Sequence, residues 1–319
     1  MTNRHHVFII NPAAGGRDRT TDLASEIAAV ARAADISYDI LITEYPRHAC
    51  LLVREAAQAH PGDVLRYYAC GGDGTLNEVA ASAVRVPGAS FTHYPTGSGN
   101  DFIKIFGPEN VARFRDLSAL IDGEILELDY IESECGNAVN ILSVGVDARI
   151  ARDMQKYKRI PGLKGTGSYL ASTVENLVRG LHAPYKVEID GQMLDGRYTL
   201  IAAANGRCYG SSFVPVPDAD PQDGLLDILL VRDISRLKAA SVLGHYKKGF
   251  YRDLPHVITH HKAREMTVLS VGEKPMTINL DGEIEQTLRI KLRVARYKMH
   301  FAVPRGVKVA PPEIRYGEV

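Results

Sequence analysis

The run Cys70-Gly71-Gly72-Asp73-Gly74-Thr75-Leu76-Asn77-Glu78-Val79 joins a strand-like stretch, residues 64–70, to a helix-like one, residues 76–84. No other segment constrains the chain as tightly. Three glycines in four positions let the backbone adopt positive φ and approach a ligand closely. The helix that follows opens with free N–H groups and the positive end of its dipole, which suits phosphate. Asp73 adds a carboxylate where magnesium would neutralise phosphate oxygens. The plain alternative is a tight strand–helix turn capped by Thr75. It accounts for a Gly-Gly pair better than for the whole Gly-Gly-Asp-Gly-Thr run.

The surrounding rhythm sets the fold class. Residues 6–128 alternate between β-branched runs (7–10, 36–42, 64–70, 90–94) and amphipathic ones (the stripe Leu23, Ile27, Val30, Ala34; then 49–59 and 76–84). Such alternation predicts a mostly parallel sheet covered on both faces, with ligands at the C-terminal strand ends. Two further small-residue loops fall at equivalent ends. They are Asn11-Pro12-Ala13-Ala14-Gly15-Gly16 and Pro95-Thr96-Gly97-Ser98-Gly99-Asn100-Asp101-Phe102. Each alone could be a capped loop; three on one sheet point to a phosphate site.

Beyond residue 128 strands follow one another at 139–144, 185–189, 198–204, 225–231, 267–271, 276–280 and 288–294. Asp190-Gly191, Asp195-Gly196 and Asp281-Gly282 mark tight turns. This predicts an antiparallel sheet or sandwich. Two helices interrupt it, one with the stripe Leu170, Val174, Leu177, Val178, Leu181, the other with Leu237, Val242, Tyr246. Arg289, Lys291 and Arg293 alternate with apolar residues as one wet strand face. The expected division is 1–128 and 129–303, with 304–319 packing back on the first domain and a cleft between the two.

Several classes drop out. Lys plus Arg is 38 and Asp plus Glu is 38, so the broad basic face of a nucleic-acid binder is missing. No Gly-Lys dipeptide occurs, which removes the P-loop, and Asn77 stands where a dinucleotide fingerprint has its third glycine. The four cysteines are scattered, which favours reduced thiols in a cytoplasm. No apolar run approaches the ~20 residues of a bilayer span. The adjacent pairs His5-His6 and His260-His261 point apart on a strand and read as non-metal.

The glycine run with Asn77-Glu78 resembles the nucleotide motif of the diacylglycerol kinase catalytic family, which includes sphingosine and ceramide kinases. Asn11-Pro12 with Gly15-Gly16 resembles its N-P-x-x-G start. Pro95 to Phe102 resembles its P-x-G-T-x-N-D-F segment, with Ser98 for Thr. Asn205-Gly206, Pro217-Asp218-Ala219, Asp223-Gly224-Leu225-Leu226-Asp227 and Leu280-Asp281-Gly282-Glu283 are similar to the run of motifs in its second domain. Two departures are Lys104, where Arg is common, and Tyr209-Gly210-Ser211-Ser212, where glycines are common.

The resemblance implies a fold and a set of roles. The fold is a Rossmann-like, NAD-kinase-like α/β nucleotide domain followed by a β-sandwich lipid domain. Nucleotide binding would fall to Asn11, Thr43, Gly71, Gly72, Asp73, Gly74, Thr75, Asn77, Glu78, Gly97, Ser98, Asn100 and Asp101. Asp73 and Glu283 would be catalytic, Glu283 as the base; on the residues alone it is a solvated turn carboxylate. Asp220, Asp223 and the Leu225 carbonyl would hold Mg2+; unaided, they read as an Asx-rich turn.

The implied activity is ATP-dependent phosphorylation of diacylglycerol or a related membrane lipid. The rivals are an NAD kinase-like enzyme and a non-catalytic regulator on a kinase scaffold. The basic stretch Arg149, Arg152, Lys156, Lys158, Arg159, Lys164 surrounds Ile160-Pro161-Gly162-Leu163 and could touch an anionic membrane. The expected location is cytoplasmic, at the inner membrane face, without nucleic acid; a homodimer is left open.

Overall fold

Arg4–Ile10 is buried at every position after the first. Burial on both faces is what a central strand of a covered parallel sheet requires, and its Val-Phe-Ile-Ile run supplies the side chains. The computed structural model describes residues 4–157, 171–173, 175–176, 180–210 and 212–317. Two compact units emerge, Met1–Asp129 with Arg296–Pro311 and Tyr130–Ala295 with Pro312–Val319.

In unit 1, β1 (Arg4–Ile10) lies between β2 (Ser37–Ile42) and β3 (Val64–Gly71), parallel to both. β4 (Ser90–Pro95) continues the parallel set beside β3. Helices α1 (Thr20–Ala33), α2 (His48–Ala59) and α3 (Asp73–Ala83) alternate with these strands. The short α4 (Leu117–Ile121) and β5 (Glu124–Leu128) close the first passage of the chain.

The sheet is completed from the other end of the sequence. β18 (Met299–Val303) pairs parallel with β4 and antiparallel with β5, giving the order β2-β1-β3-β4-β18-β5. The expectation that the chain stays in the second domain to residue 303 therefore needs correction. Phe301 is fully buried against Phe91, Phe102 and Phe106, so this strand fills the core of unit 1. Residues 312–319 go instead with unit 2.

Unit 2 is an antiparallel sheet in the order β16-β15-β8-β11-β9-β14-β17-β6-β7. Its members are β6 (Ile131–Ser133), β7 (Gly136–Ala138), β8 (Ile141–Gly145), β9 (Ala183–Ile189), β11 (Gly196–Ala204), β14 (Glu265–Ser270), β15 (Met276–Leu280), β16 (Glu283–Thr287) and β17 (Arg289–Val294). The sheet branches at β11, whose start pairs with β9 and whose end pairs with β8. On its other side β12 (Leu226–Arg232) leads to β13 (Ile258–Ala263). Leu142, Val187, Ile201, Ile228, Val268, Ile278 and Ile290 from seven strands share one core, so the branched sheet folds around it as a sandwich.

Asp190-Gly191 and Asp281-Gly282 take positive φ at both residues, the conformation of a tight hairpin turn; Asp195 does not. In the helix Arg236–Lys248 the buried face is Ala239, Val242 and Tyr246, while Leu237 is 95% exposed and leaves the expected stripe. Of the other expected stripe, Leu170, Val174, Leu177 and Val178 lie outside the described residues; Leu181 is buried.

Arg66 on β3 is completely buried. Its Nη1 donates to the carbonyls of Leu120 and Ile121, both at 3.0 Å, and Nη2 to Gly123 O at 3.3 Å. It thus satisfies the open carbonyls at the C-terminal end of α4, where a cation also suits the helix dipole. Arg66→Met should strand those carbonyls in a buried site and cost roughly 2–4 kcal/mol. A urea denaturation midpoint equal to that of the parent protein would refute this role.

Candidate active site

Three loops meet at the C-terminal ends of the unit 1 strands. The first follows β1. Asn11 N donates to Cys70 O at 2.9 Å, and Asn11 Nδ2 to Thr75 Oγ1 at 2.9 Å. Thr75 is therefore not the cap of α3. Gly72 is, with no side-chain hydrogen bond, so the first N–H groups of the helix keep no side-chain partner there.

The second loop is the glycine run itself. Gly71 O accepts the backbone N–H of Thr96 at 2.9 Å and of Gly97 at 3.0 Å. A third donor is His93 Nε2 at 3.0 Å. His93 is fully buried, and burial brings its pKa down to about 4, so it stays neutral and donates this bond. Nothing in the spacing of the sequence singles it out, since a lone histidine in an apolar strand reads as core.

The third loop, residues 95–102, closes over the second. A Cβ on Gly97 would lie 2.3 Å from Gly72 Cα, and one on Gly99 would lie 2.7 Å from Asp73 Oδ2. Only glycine permits that approach. Asp73 Oδ1 accepts the N–H of Asp101 at 2.7 Å and of Phe102 at 3.3 Å. Asn100 sits at positive φ and donates through Nδ2 to Gly97 O at 2.7 Å. Lys104 pairs with Asp101.

Electrostatics mark the same place. Burial pushes the Asp73 carboxyl up, the Asp101 N–H draws it down, and the neighbouring Asp101 charge pushes it up again; the net is above the ordinary carboxylate range. A half-buried carboxylate beside a second one suits a cation-bearing ligand such as a magnesium nucleotide. Asn77 Oδ1 and Asn100 Oδ1 are buried with no hydrogen-bond partner among the described residues. Both are acceptors that a ligand or its water could satisfy. Gly74 and Ser98 are exposed at the rim, and Thr43 is held by its N–H on Ile10 O at 2.9 Å.

Glu78 stands apart from this group. Its Oε1 accepts Arg47 N at 2.9 Å and its Oε2 accepts Ala49 N at 3.1 Å. Its carboxylate thus caps the start of α2 rather than facing a ligand. That signal was hidden because the capped helix precedes Glu78 by thirty residues of chain.

In unit 2 the later motifs also converge. Asn205 N and Gly206 N both donate to Asn140 O at 2.9 Å, and a Cβ on Gly206 would lie 1.9 Å from Asn140 Oδ1. Arg207 is buried and donates through Nε to Ala219 O at 2.7 Å. Asp281 Oδ2 accepts Val139 N at 2.6 Å and Asn140 N at 3.2 Å, while Oδ1 accepts Ile141 N at 2.8 Å. Asp281 is thus a structural clamp. Glu283, two residues on, is exposed, and its carboxylate makes no hydrogen bond or ion pair among the described residues.

Asp220 Oδ1 accepts Gln222 N at 3.0 Å and Asp223 Oδ1 accepts Leu225 N at 2.9 Å, the geometry of Asx turns. Asp223 Oδ2 is 2.6 Å from Lys262 Nζ. A divalent ion held by this trio would have to displace the Lys262 ammonium from Asp223. Of the basic stretch, Arg149 donates to Gly180 O, Arg152 pairs with Asp153, and Lys156 pairs with Glu175. Lys158, Arg159, Ile160, Pro161, Gly162, Leu163 and Lys164 lie outside the described residues. No described helix is long and apolar enough to cross a membrane.

The chain matches the diacylglycerol kinase catalytic domain over residues 5–133 and the YegS C-terminal NAD kinase beta sandwich-like domain over residues 140–309. A Staphylococcus aureus protein (strain MSSA476) named as a putative lipid kinase is 26% identical over 251 residues, covering 77% of this chain and 78% of that one. A second, from strain MRSA252 and named likewise, is 26% identical over 244 residues, 75% of this chain and 77% of its own. A crystal structure titled as a putative diacylglycerol kinase from Bacillus anthracis superposes with TM-score 0.73 at 23% identity, over 95% of this chain and 98% of that one. This last likeness shows the shared fold.

The two neighbouring turn carboxylates should separate by experiment. Asp281→Ala leaves three successive backbone N–H groups without their acceptor and should cost roughly 2–4 kcal/mol. Glu283→Gln should leave the thermal midpoint where it is. Equal effects on stability would show that the clamp has been misassigned.

Proposed function

The chain belongs to the diacylglycerol kinase catalytic-domain family, completed by a YegS-type second domain, and on that footing we propose that it transfers the γ-phosphate of ATP to the hydroxyl of diacylglycerol or a related membrane lipid. The observation that carries the proposal is the Asp73 carboxylate, which ties the loop at residues 95–102 to the glycine run. Around it stand uncapped helix N–H groups, glycines that leave room for phosphate oxygens, and two orphaned asparagine acceptors. Unit 1 holds the nucleotide in this reading. Asp73, raised by burial, is the natural carboxylate to face its magnesium. That ion would supply charge neutralisation on the phosphate oxygens.

Unit 2 supplies the acceptor side. Glu283 takes the hydroxyl proton as the acceptor oxygen bonds to the γ-phosphorus. The bond from that phosphorus to the β,γ-bridging oxygen breaks, and ADP leaves with its electron pair. Asp281 holds the turn that presents Glu283, which is why the two carboxylates differ in role. Asp220 and Asp223 carry no step in this reading.

The test is transfer of label from γ-labelled ATP into a total bacterial lipid extract and, separately, into NAD. Label in a phosphatidic-acid-like product, abolished by chelation of magnesium, is the expected result. Asp73→Asn should lower turnover by at least about 10²-fold with little change in the thermal midpoint. Glu283→Gln should lower it by about 10²–10⁴-fold while ATP affinity is retained. Transfer to NAD and not to lipid would replace this reading with the NAD kinase one. Binding of ATP with transfer to neither acceptor would make the chain a regulator.

A further inference from the structure

A second polar cluster lies at the opposite ends of the unit 1 strands. His5 Nε2 and His60 Nε2 both approach Asp39 Oδ2, at 3.2 and 2.7 Å. We propose that His5, Asp39 and His60 form a binding site for a divalent transition-metal ion of the zinc class. His5 stands at the start of β1, Asp39 near the start of β2, and His60 directly after α2. Five residues of strand separate His5 from the loop after Ile10, about 17 Å, so this site is distinct from the glycine loops.

Four observations support an ion here. First, His5 is 7% exposed, and its Nε2 is buried with no hydrogen-bond partner. It faces the Asp39 carboxylate at 3.2 Å in an ion-pair contact, the group with which it would share an ion. Second, the far nitrogen of His5 is already engaged, and that of His60 faces a carboxylate at longer range. His5 Nδ1 lies 3.1 Å from Ser37 Oγ, and His60 Nδ1 lies 3.7 Å from Asp63 Oδ2. Metal-binding imidazoles are oriented in this way by partners on the ring nitrogen that does not bind the ion.

Third, bonds of 2.0–2.2 Å to a tetrahedral ion place neighbouring donors about 3.3 Å apart. The His5–Asp39 spacing of 3.2 Å matches that, His60 lies nearer at 2.7 Å, and all three donor atoms lie within 4.8 Å of one another. Fourth, α2 ends at Ala59, so its negative dipole end faces the cluster and favours a cation.

Two imidazoles and one carboxylate select a zinc-class ion over magnesium, which prefers oxygen donors. The rings are stacked, with centroids 3.7 Å apart and an angle of 24° between planes. Coordination therefore turns the half-buried His60 ring so that the two lone pairs converge. The adjacent pair His5-His6 does split as strand geometry requires, His6 going to Tyr68. His5 finds its partner fifty-five positions away instead. By contrast, the similar group Asp218, Asp227 and His260 is already satisfied, with Arg252 and Tyr251 on Asp218 and Lys262 beside Asp227.

The test uses the full chain after chelator treatment, with Zn2+ alone as the probe. Calorimetric titration should give one site, and Zn2+ at about a hundred times its Kd should raise the thermal midpoint by several degrees. Co2+ in its place should give visible absorption bands of a nitrogen-bound ion. His60→Gln and Asp39→Asn, both on accessible groups, should each weaken binding at least tenfold and remove those bands. His260→Gln should change nothing, and Mg2+ should give no response. Absence of Zn2+ binding, or binding unchanged in both His60→Gln and Asp39→Asn, or loss in His260→Gln, would overturn the assignment.

Discussion

One carboxylate sets the shape of the nucleotide side. Asp73 lies in the first turn of α3, between glycines, and accepts two backbone N–H groups from the loop after β4. That bond holds the far part of the loop at residues 95–102, as Gly71 O holds its start through the N–H groups of Thr96 and Gly97. The loop has two glycines, and its one well-placed asparagine bonds within the loop itself. The same carboxylate must be desolvated to do this, which raises its pKa and leaves it suited to a counter-cation. Rigidity of the loop and affinity for a charged ligand thus come from one group.

Unit 2 repeats the device without the ligand. Asp281 sits at positive φ in a hairpin turn and accepts three successive N–H groups from residues 139–141. The gathered strand in turn offers Asn140 O to Asn205 and Gly206. Three motifs far apart in sequence therefore share one backbone scaffold, and Glu283 is the residue left pointing outward. The oxygens of Asp281 are spent on backbone N–H groups, and the Glu283 carboxylate is left exposed on the clamped turn.

The parallel half of the fold was legible because its strands are continuous apolar runs such as Val7 to Ile10. The hairpins at Asp190-Gly191 and Asp281-Gly282 and the alternating Arg289–Val294 strand were legible for similar local reasons. What escaped was set by distant partners. β13 carries His260-His261, and its His260 is partnered by Asp227 on the neighbouring strand. β16 is an edge strand with mostly exposed residues, and β18 belongs to a sheet begun nearly three hundred residues earlier. At the site, glycine spacing revealed all three loops. It could not reveal that Glu78 caps α2, that Thr75 is claimed by Asn11, or that Lys262 reaches Asp223.

The two ends of the unit 1 sheet carry opposite chemistry for one physical reason. Each helix that follows a strand begins at that strand's C-terminal end and returns to finish at the other. The N–H groups and positive dipole of α3 therefore lie beside the glycine loops, where side chains are few and an anion is welcome. Carbonyls and negative dipoles collect at the far end, where they meet side chains that carry N–H groups. Arg66 meets the last carbonyls of α4, and His60 caps α2 beside Asp39. The anion side is built from backbone and small residues, and the cation side from buried arginine and histidine. The polarity belongs to the strand–helix alternation itself, so the positions of both sites follow from the order of elements before any particular ligand is considered.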